Sequence, residues 1–257
     1  MDIDLLSSSD YECEFILTNT TSKIANSLRK IILNEIPIFA IDTIVDIKNT
    51  SLLLDEQLIQ RLTYIPFISP SIDNYVLENE CTCDKECDKC SIEFSINVEN
   101  KTSKHITVYN TDIISPKIKI YTDSKYGIPI TKLNPGQHLI MNGFIKKGVG
   151  KNHSKWSPVS SATYRYMPDI KTTSNLTLED KKKLVKICPM GVFSVDIEDL
   201  KYDTKKCTMC NECVYNYKDD VVVDYLKDTV IFTIESTGCL LVGKILNDAL
   251  DILNLKE

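Results

Sequence analysis

The two ends of the chain carry the same local pattern, and this repetition restricts the fold more than any other feature. Near the N-terminus Tyr11, Cys13, Phe15 and Leu17 alternate with Glu12 and Glu14, the two-residue period of a strand with one covered face. Asn19, Thr20, Thr21 and Ser22 then supply turn and helix-capping chemistry. Ile24, Leu28, Ile31 and Ile32 follow at helical spacing, with Arg29, Lys30 and Asn34 off the stripe and Pro37 ending the helix. Toward the C-terminus Val230, Phe232 and Ile234 alternate within a strand over 229–235, and Ser236, Thr237 and Gly238 form a turn. A second amphipathic helix follows, with Val242, Ile245, Leu246, Ala249, Ile252 and Leu253 as its apolar stripe. One strand and one helix bury too little surface to fold alone. The two ends are therefore expected to pack together as one discontinuous domain, with about residues 46 to 220 inserted between them.

The middle reads as strand-rich and loop-rich, with a turn-prone stretch at Leu133 to Gly136 and no internal repeat. A length of 257 residues favours two domains, or one domain with insertions. A net charge of −6 disfavours a protein that grips nucleic acid over its whole surface, because phosphate contacts call for a basic excess. No apolar run approaches the ~20 residues of a membrane span. The opening MDIDLLSSSD has neither the basic start nor the apolar stretch of a secretion signal. The expectation is an intracellular protein in a reducing compartment. Its ten cysteines then read as metal ligands or buried thiols rather than disulfides. Eight of them fall in two groups, and only Cys13 and Cys239 stand alone.

The first group, Cys81, Cys83, Cys87 and Cys90, has the spacing C-x-C-x3-C-x2-C. Four thiolates this close in sequence suit a tetrahedral zinc, and the polar residues between them suit a loop folded around an ion. Four cysteine ligands close the coordination sphere, which makes the site structural rather than catalytic. The second group is Cys207, Cys210 and Cys213, with Cys188–Pro189 upstream. In bacterial-type ferredoxins the pattern is C-x2-C-x2-C-x3-C-P, and the last cysteine of each run serves the other cluster. Cys188, Cys207, Cys210 and Cys213 then form the ligand set of one surviving cluster. Leu184 and Tyr217 stand where the second cluster would need cysteines. An iron–sulfur cluster is the sharper reading of this set, and zinc in the same four thiolates is the alternative.

Several stretches resemble the alpha-like subunits of multisubunit DNA-directed RNA polymerases. They are Ala25 to Ile44 (ANSLRKIILNEIPIFAIDTI) and Asn49 to Phe67 (NTSLLLDEQLIQRLTYIPF). The loop Cys81 to Cys90, the segment Lys146 to Tyr166 and the run Phe232 to Leu240 (FTIESTGCL) resemble the third-largest subunit of eukaryotic RNA polymerase II. The ferredoxin-like insert resembles the archaeal D subunit. The resemblance implies an α+β fold: a discontinuous dimerisation domain (1–45 and 221–257), an inserted β-rich domain (46–170) and a ferredoxin-like insertion (171–220). It implies a non-catalytic assembly subunit that heterodimerises with a smaller alpha-like subunit and forms the platform for the two large catalytic subunits. Nucleic acid would be met only through the complex, and no membrane is involved. The expected partner surface is Ile24, Leu28, Ile31, Ile32, Ile245, Leu246, Ala249, Ile252 and Leu253, although each of the first four reads more readily as intramolecular core. The compartment follows from lineage: nucleus, archaeal cytoplasm, or the host cell or virion of a large DNA virus.

Other residues carry weaker expectations. Lys146, Lys147, Lys151, Lys155 and Arg165 form a modest basic stretch that reads first as a solvated loop, with contact to a partner's acidic surface or to nucleic acid as the alternative. Trp156, between Lys155 and Pro158, is expected against a neighbouring subunit. Arg29 and Arg61 read either as contacts to a large subunit or as solvated side chains, and His105, His138 and His153 as surface residues. The sequence contains no phosphate-binding loop, dinucleotide fingerprint or H-E-x-x-H motif. The competing class is an iron–sulfur electron-transfer or redox-sensing protein.

Overall fold

The computed structural model describes residues 1–69, 71–83, 86–122 and 127–255. The chain is α+β and forms two compact units. One comprises Met1–Ser7, Glu14–Asn26 and Thr163–Thr233, and the other Ser8–Cys13, Ser27–Ala162 and Ile234–Glu257.

One sheet has four strands in the order β1 (Asp2–Ser8), β2 (Glu12–Thr18), β14 (Val221–Ser236) and β11 (Val159–Thr172), most of whose residues belong to the first unit. The alternation of β2 does what its pattern demands: Phe15 and Leu17 are fully buried and Glu12 is exposed. Phe15 stacks on Phe232 at 5.2 Å, and Tyr164 packs on the same ring at 5.3 Å. Such aromatic pairs add about 0.5–1.5 kcal/mol each to plain area burial. β14 is much longer than the expected strand over 229–235, because its first half runs on as a largely exposed ribbon. The cysteine-bearing module of this unit consists of α3 (Leu178–Ile187), the hairpin β12 (Phe193–Asp196) and β13 (Asp199–Tyr202), and the short α4 (Glu212–Asn216). Thr177 caps α3: its hydroxyl accepts from the Asp180 N–H, and the Asp180 carboxylate accepts from the Thr177 N–H. Ile170, Leu176, Leu184, Val192, Phe193 and Val221 form the module's small core.

The second unit contains a sheet in the order β3 (Pro37–Asn49), β10 (His138–Val149), β5 (Ser91–Glu99) and β7 (Ile113–Ile114). Two-stranded pairings join β4 (Phe67–Ile68) to β8 (Lys119–Ile120), and β6 (Ile106–Tyr109) to β9 (Pro129–Leu133). Helix α2 (Asp55–Thr63) packs Leu58 and Leu62 into the core formed by Phe39, Ile41, Phe67, Ile92, Phe94, Ile96 and Met141. Strand β10 is central, antiparallel to both neighbours. Its Lys146 stands opposite Ala40 on one side and Ser91 on the other.

Helix α1 (Ser22–Asn34) crosses from the first unit into the second, and α5 (Val242–Asn254) belongs to the second. The turn before α5 is held by backbone. Ser69 N–H donates to the Cys239 carbonyl, and the Ser236 hydroxyl donates to the Leu240 carbonyl. Gly238 has φ +94°, and a Cβ there would meet the Tyr121 ring at 2.3 Å, so this corner admits only glycine.

Candidate metal centres and partner surfaces

The first cysteine group converges in space. Its sulfurs lie 3.4 Å (Cys81–Cys83), 3.6 Å (Cys81–Cys87), 3.6 Å (Cys83–Cys90) and 3.7 Å (Cys87–Cys90) apart. A tetrahedron with metal–sulfur arms of ~2.3 Å has edges of about 3.8 Å, so the spacing suits one ion. The local fold explains the convergence. A 3-10 turn, Glu78–Glu80, delivers Cys81. The Cys87 carbonyl accepts from the N–H groups of Cys90 and Ser91 and from the Ser91 hydroxyl, a tight turn that ends where β5 begins. Cys90 is buried at the foot of that strand. Asp84 and Lys85 of this loop lie outside the described residues. The Lys89 backbone N–H donates to Cys87 and lowers its thiol to about 7, whereas Cys83, hydrogen-bonded to Cys81, is pushed up to about 12.

The second group is arranged differently. Cys188 ends α3, Cys207 and Cys213 are buried, and Cys210 is exposed. All four line one small cavity of about 10 Å³, together with Ile170, Val192, Phe193 and Val223. Among the described residues only the Cys81 set gathers its ligand atoms within 4.8 Å of one another. The second set is thus splayed wider than one tetrahedral ion requires. Backbone N–H groups point at its sulfurs, Val192 to Cys188 at 3.5 Å and Met209 to Cys207 at 3.4 Å. Met209 (φ 56°) and Asn211 (φ 61°) adopt the left-handed conformation, which turns successive N–H groups of the 207–213 loop to one side. Arg165 braces the loop by donating to the carbonyls of Lys205 (2.6 Å) and Cys207 (3.1 Å). Burial pushes the Cys213 thiol up.

Most of the basic stretch is not a solvated loop, although Lys151 is exposed in a turn. Lys146 is buried on β10 with its Nζ 2.6 Å from Glu78 and 3.7 Å from both Asp42 and Glu86. Burial works against its charge, but the Glu78 hydrogen bond and the other carboxylates override this and raise its pKa. Lys147 donates to the carbonyls of Ile72 and Tyr75. Lys155 pairs with Asp42 at 2.6 Å and lies 4.2 Å over the Trp156 ring. The Trp156 Nε1–H donates to the Lys146 carbonyl, and the ring covers Gly148, so the tryptophan packs within its own unit. Arg61 donates to the carbonyls of Pro129 and Ile130 and ties α2 to β9. Composition could not separate these lysines from a solvated run, because their partners come from distant segments.

Of the residues expected to meet a partner, Leu28, Ile31, Ile32, Ile245, Ala249 and Leu253 are buried by the chain itself. Ile24, Leu246 and Ile252 are half-buried, and Leu241 and Leu255 at the ends of α5 are exposed. Among the described residues no helix is long and apolar enough to cross a membrane.

Comparison with known proteins adds the family. Residues 45–168 match the model of the RNA polymerase Rpb3/RpoA insert domain. The chain is 33% identical to the DNA-directed RNA polymerase II subunit rpb3 of Dictyostelium discoideum, over 99% of this chain and 92% of that protein. It is 35% identical to the DNA-directed RNA polymerases I and III subunit rpac1 of the same organism, over 97% and 78%. It is 31% identical to the DNA-directed RNA polymerase subunit Rpo3 of Methanosphaera stadtmanae, over 100% and 96%. Likeness of this extent spans both terminal strand–helix pairs and everything between them, and the chain accordingly belongs to the Rpb3/Rpo3 family of DNA-directed RNA polymerase subunits.

Proposed function

We propose that this chain is a non-catalytic assembly subunit that pairs with a smaller alpha-like subunit and presents the pair to the two large, catalytic polymerase subunits. The chain-long likeness to Rpb3 and Rpo3 subunits carries this reading. Helix α5 supports it: beyond the residues it buries internally, it keeps Leu246 and Ile252 half-covered and Leu241 exposed. These residues are the apolar surface that a partner helix would complete on α5. The buried members of the stripe act behind them as the rigid backing. Obligate interfaces of this type bury about 2,000 Å² or more and resemble a core cut in half.

In this reading Cys81, Cys83, Cys87 and Cys90 hold one zinc ion. Four thiolates saturate it, so it supplies no open position for chemistry and serves to fold a loop that has no core of its own. Cys188, Cys207, Cys210 and Cys213 hold an iron–sulfur cluster. The wide sulfur spacing and the inward N–H groups favour it over a single zinc. Its role is to brace the module around α3 and the β12–β13 hairpin.

Co-expression of the full chain with a smaller alpha-like subunit tests the pairing. A one-to-one complex in solution is expected, and Leu246→Asp should break it while leaving the chain folded. Two monomers that never associate would remove the reading.

A further inference from the structure

We propose that Lys146 is a positioning residue for the four-cysteine site, docking the cysteine loop onto the sheet and linking its metal occupancy to Trp156. The inference rests on the metal reading of Cys81, Cys83, Cys87 and Cys90.

The loop between Glu78 and Cys90 is polar and brings almost no apolar side chain of its own to the sheet. Something else must hold it there. Lys146 lies on the central strand β10, directly across the ladder from Ser91, the residue that follows Cys90. Its ammonium reaches Glu78, three positions before the first cysteine, and Glu86, one position before the third. One buried cation therefore grips both halves of the loop. Its side chain is 5% exposed, while that of Glu86 is 24% and that of Glu78 59% exposed, so the cation is held from below and water reaches the pair chiefly from the Glu78 side. Among the described residues the other ion pair on the loop, Lys117 with Asp88, is at the surface and screened, and contributes little.

Charge strengthens the argument. Four thiolates around a divalent ion leave the site with a net negative charge, and Glu78, Glu80, Glu86 and Asp88 flank the cysteines in the sequence, only partly balanced there by Lys85 and Lys89. Lys146 offsets that accumulation from beneath. Loss of the ion requires the loop to open, and opening requires Lys146 to release its carboxylates. The same lysine is bound to Trp156 by two routes. Its carbonyl accepts the indole N–H, and its ammonium shares Asp42 with Lys155, which lies over the ring. Trp156 is the only tryptophan in the chain, so its emission reports the state of this contact.

The test uses the full zinc-loaded chain and measures zinc transfer to a chromogenic chelator, together with tryptophan emission before and after metal removal. Lys146→Met should release zinc about 10-fold faster or more, the scale at which residues supporting metal ligands act. Lys146→Arg should restore much of the wild-type rate. Lys117→Met should stay within about twofold of wild type. Metal removal should shift Trp156 emission in the wild type and shift it less in Lys146→Met, which keeps the backbone bond to the indole but loses the route through Asp42 and Lys155. If Lys146→Met does not fold, the double variant Glu78→Gln, Glu86→Gln keeps the lysine, removes its loop partners and should show the same acceleration. Equal release rates for either variant and wild type, with one zinc bound in each, would overturn the proposal. A wild-type chain that takes up neither zinc nor cobalt would contradict the metal reading itself, and this inference with it, before any variant is compared.

Discussion

Cys83 Sγ and Cys90 Sγ lie 3.6 Å apart although seven positions separate them in the chain. Protonated thiols gain little from such proximity, whereas a shared cation gains a complete ligand shell. The full chain should bind one zinc through this loop, and Cys83→Ser or Cys90→Ser should abolish stoichiometric binding. Chelation should open the 78–90 segment to protease while the sheet of β3, β10 and β5 stays protected. The pH dependence has a definite sign. Binding releases the thiol protons, so affinity falls as pH falls. Below about 7, where Cys87 also takes up a proton, the slope should steepen. Calorimetric titration in buffers of different ionisation enthalpy reads the proton count directly.

Cys210 is exposed, whereas Cys207 and Cys213 are buried in the same cavity wall. Oxygen-free purification should yield iron and sulfide with a broad visible absorption. Cys210→Ser, at the solvent edge, should leave the module folded but make that absorption bleach faster in air. Stoichiometric zinc without iron at these four cysteines would refute the cluster.

A Cβ on residue 148 would stand 2.3 Å from the Trp156 ring. Gly148→Ala should displace the indole and break its hydrogen bond to the Lys146 carbonyl. The expected cost is about 1–3 kcal/mol, the usual penalty for overpacking. Denaturant melts would show it, together with a red-shifted tryptophan emission.

Cys239 is buried beneath the turn before α5, and burial raises its thiol from 9.0 to about 11. The unfolded chain therefore loses this proton near pH 9 while the folded chain keeps it. Stability is fully present below pH 9 and is lost as pH rises toward about 11. Cys239→Ala should flatten that part of the stability–pH curve, which urea melts between pH 8 and 11 would record.

What could be read from sequence depended on how local the cause was. The four-cysteine loop is a short-range pattern, and its spacing already contains the site. The strand at Phe15 and Leu17 and the two amphipathic helices follow from periodicity, and helices over 22–34 and 242–254 are where those stripes lie. The burial of Lys146 was hidden because Asp42 and Glu78 come from segments 104 and 68 residues away. Lys155 and Arg61, whose partners are 113 and 68–69 residues away, were hidden for the same reason. The apolar stripes posed a different difficulty: periodicity marks a helix face as covered without saying whether its own chain or a partner covers it. Leu28 and Ile245 turn out to be covered internally, whereas Leu246 and Ile252 are covered only in part.

The assembly role is tested most directly by purifying the endogenous chain under mild, oxygen-free conditions and identifying by mass spectrometry what accompanies it. Recovery of a smaller alpha-like subunit together with two very large polymerase subunits, in equal amounts, is the predicted result. Recovery of the chain alone, or with a reductase in their place, would contradict it.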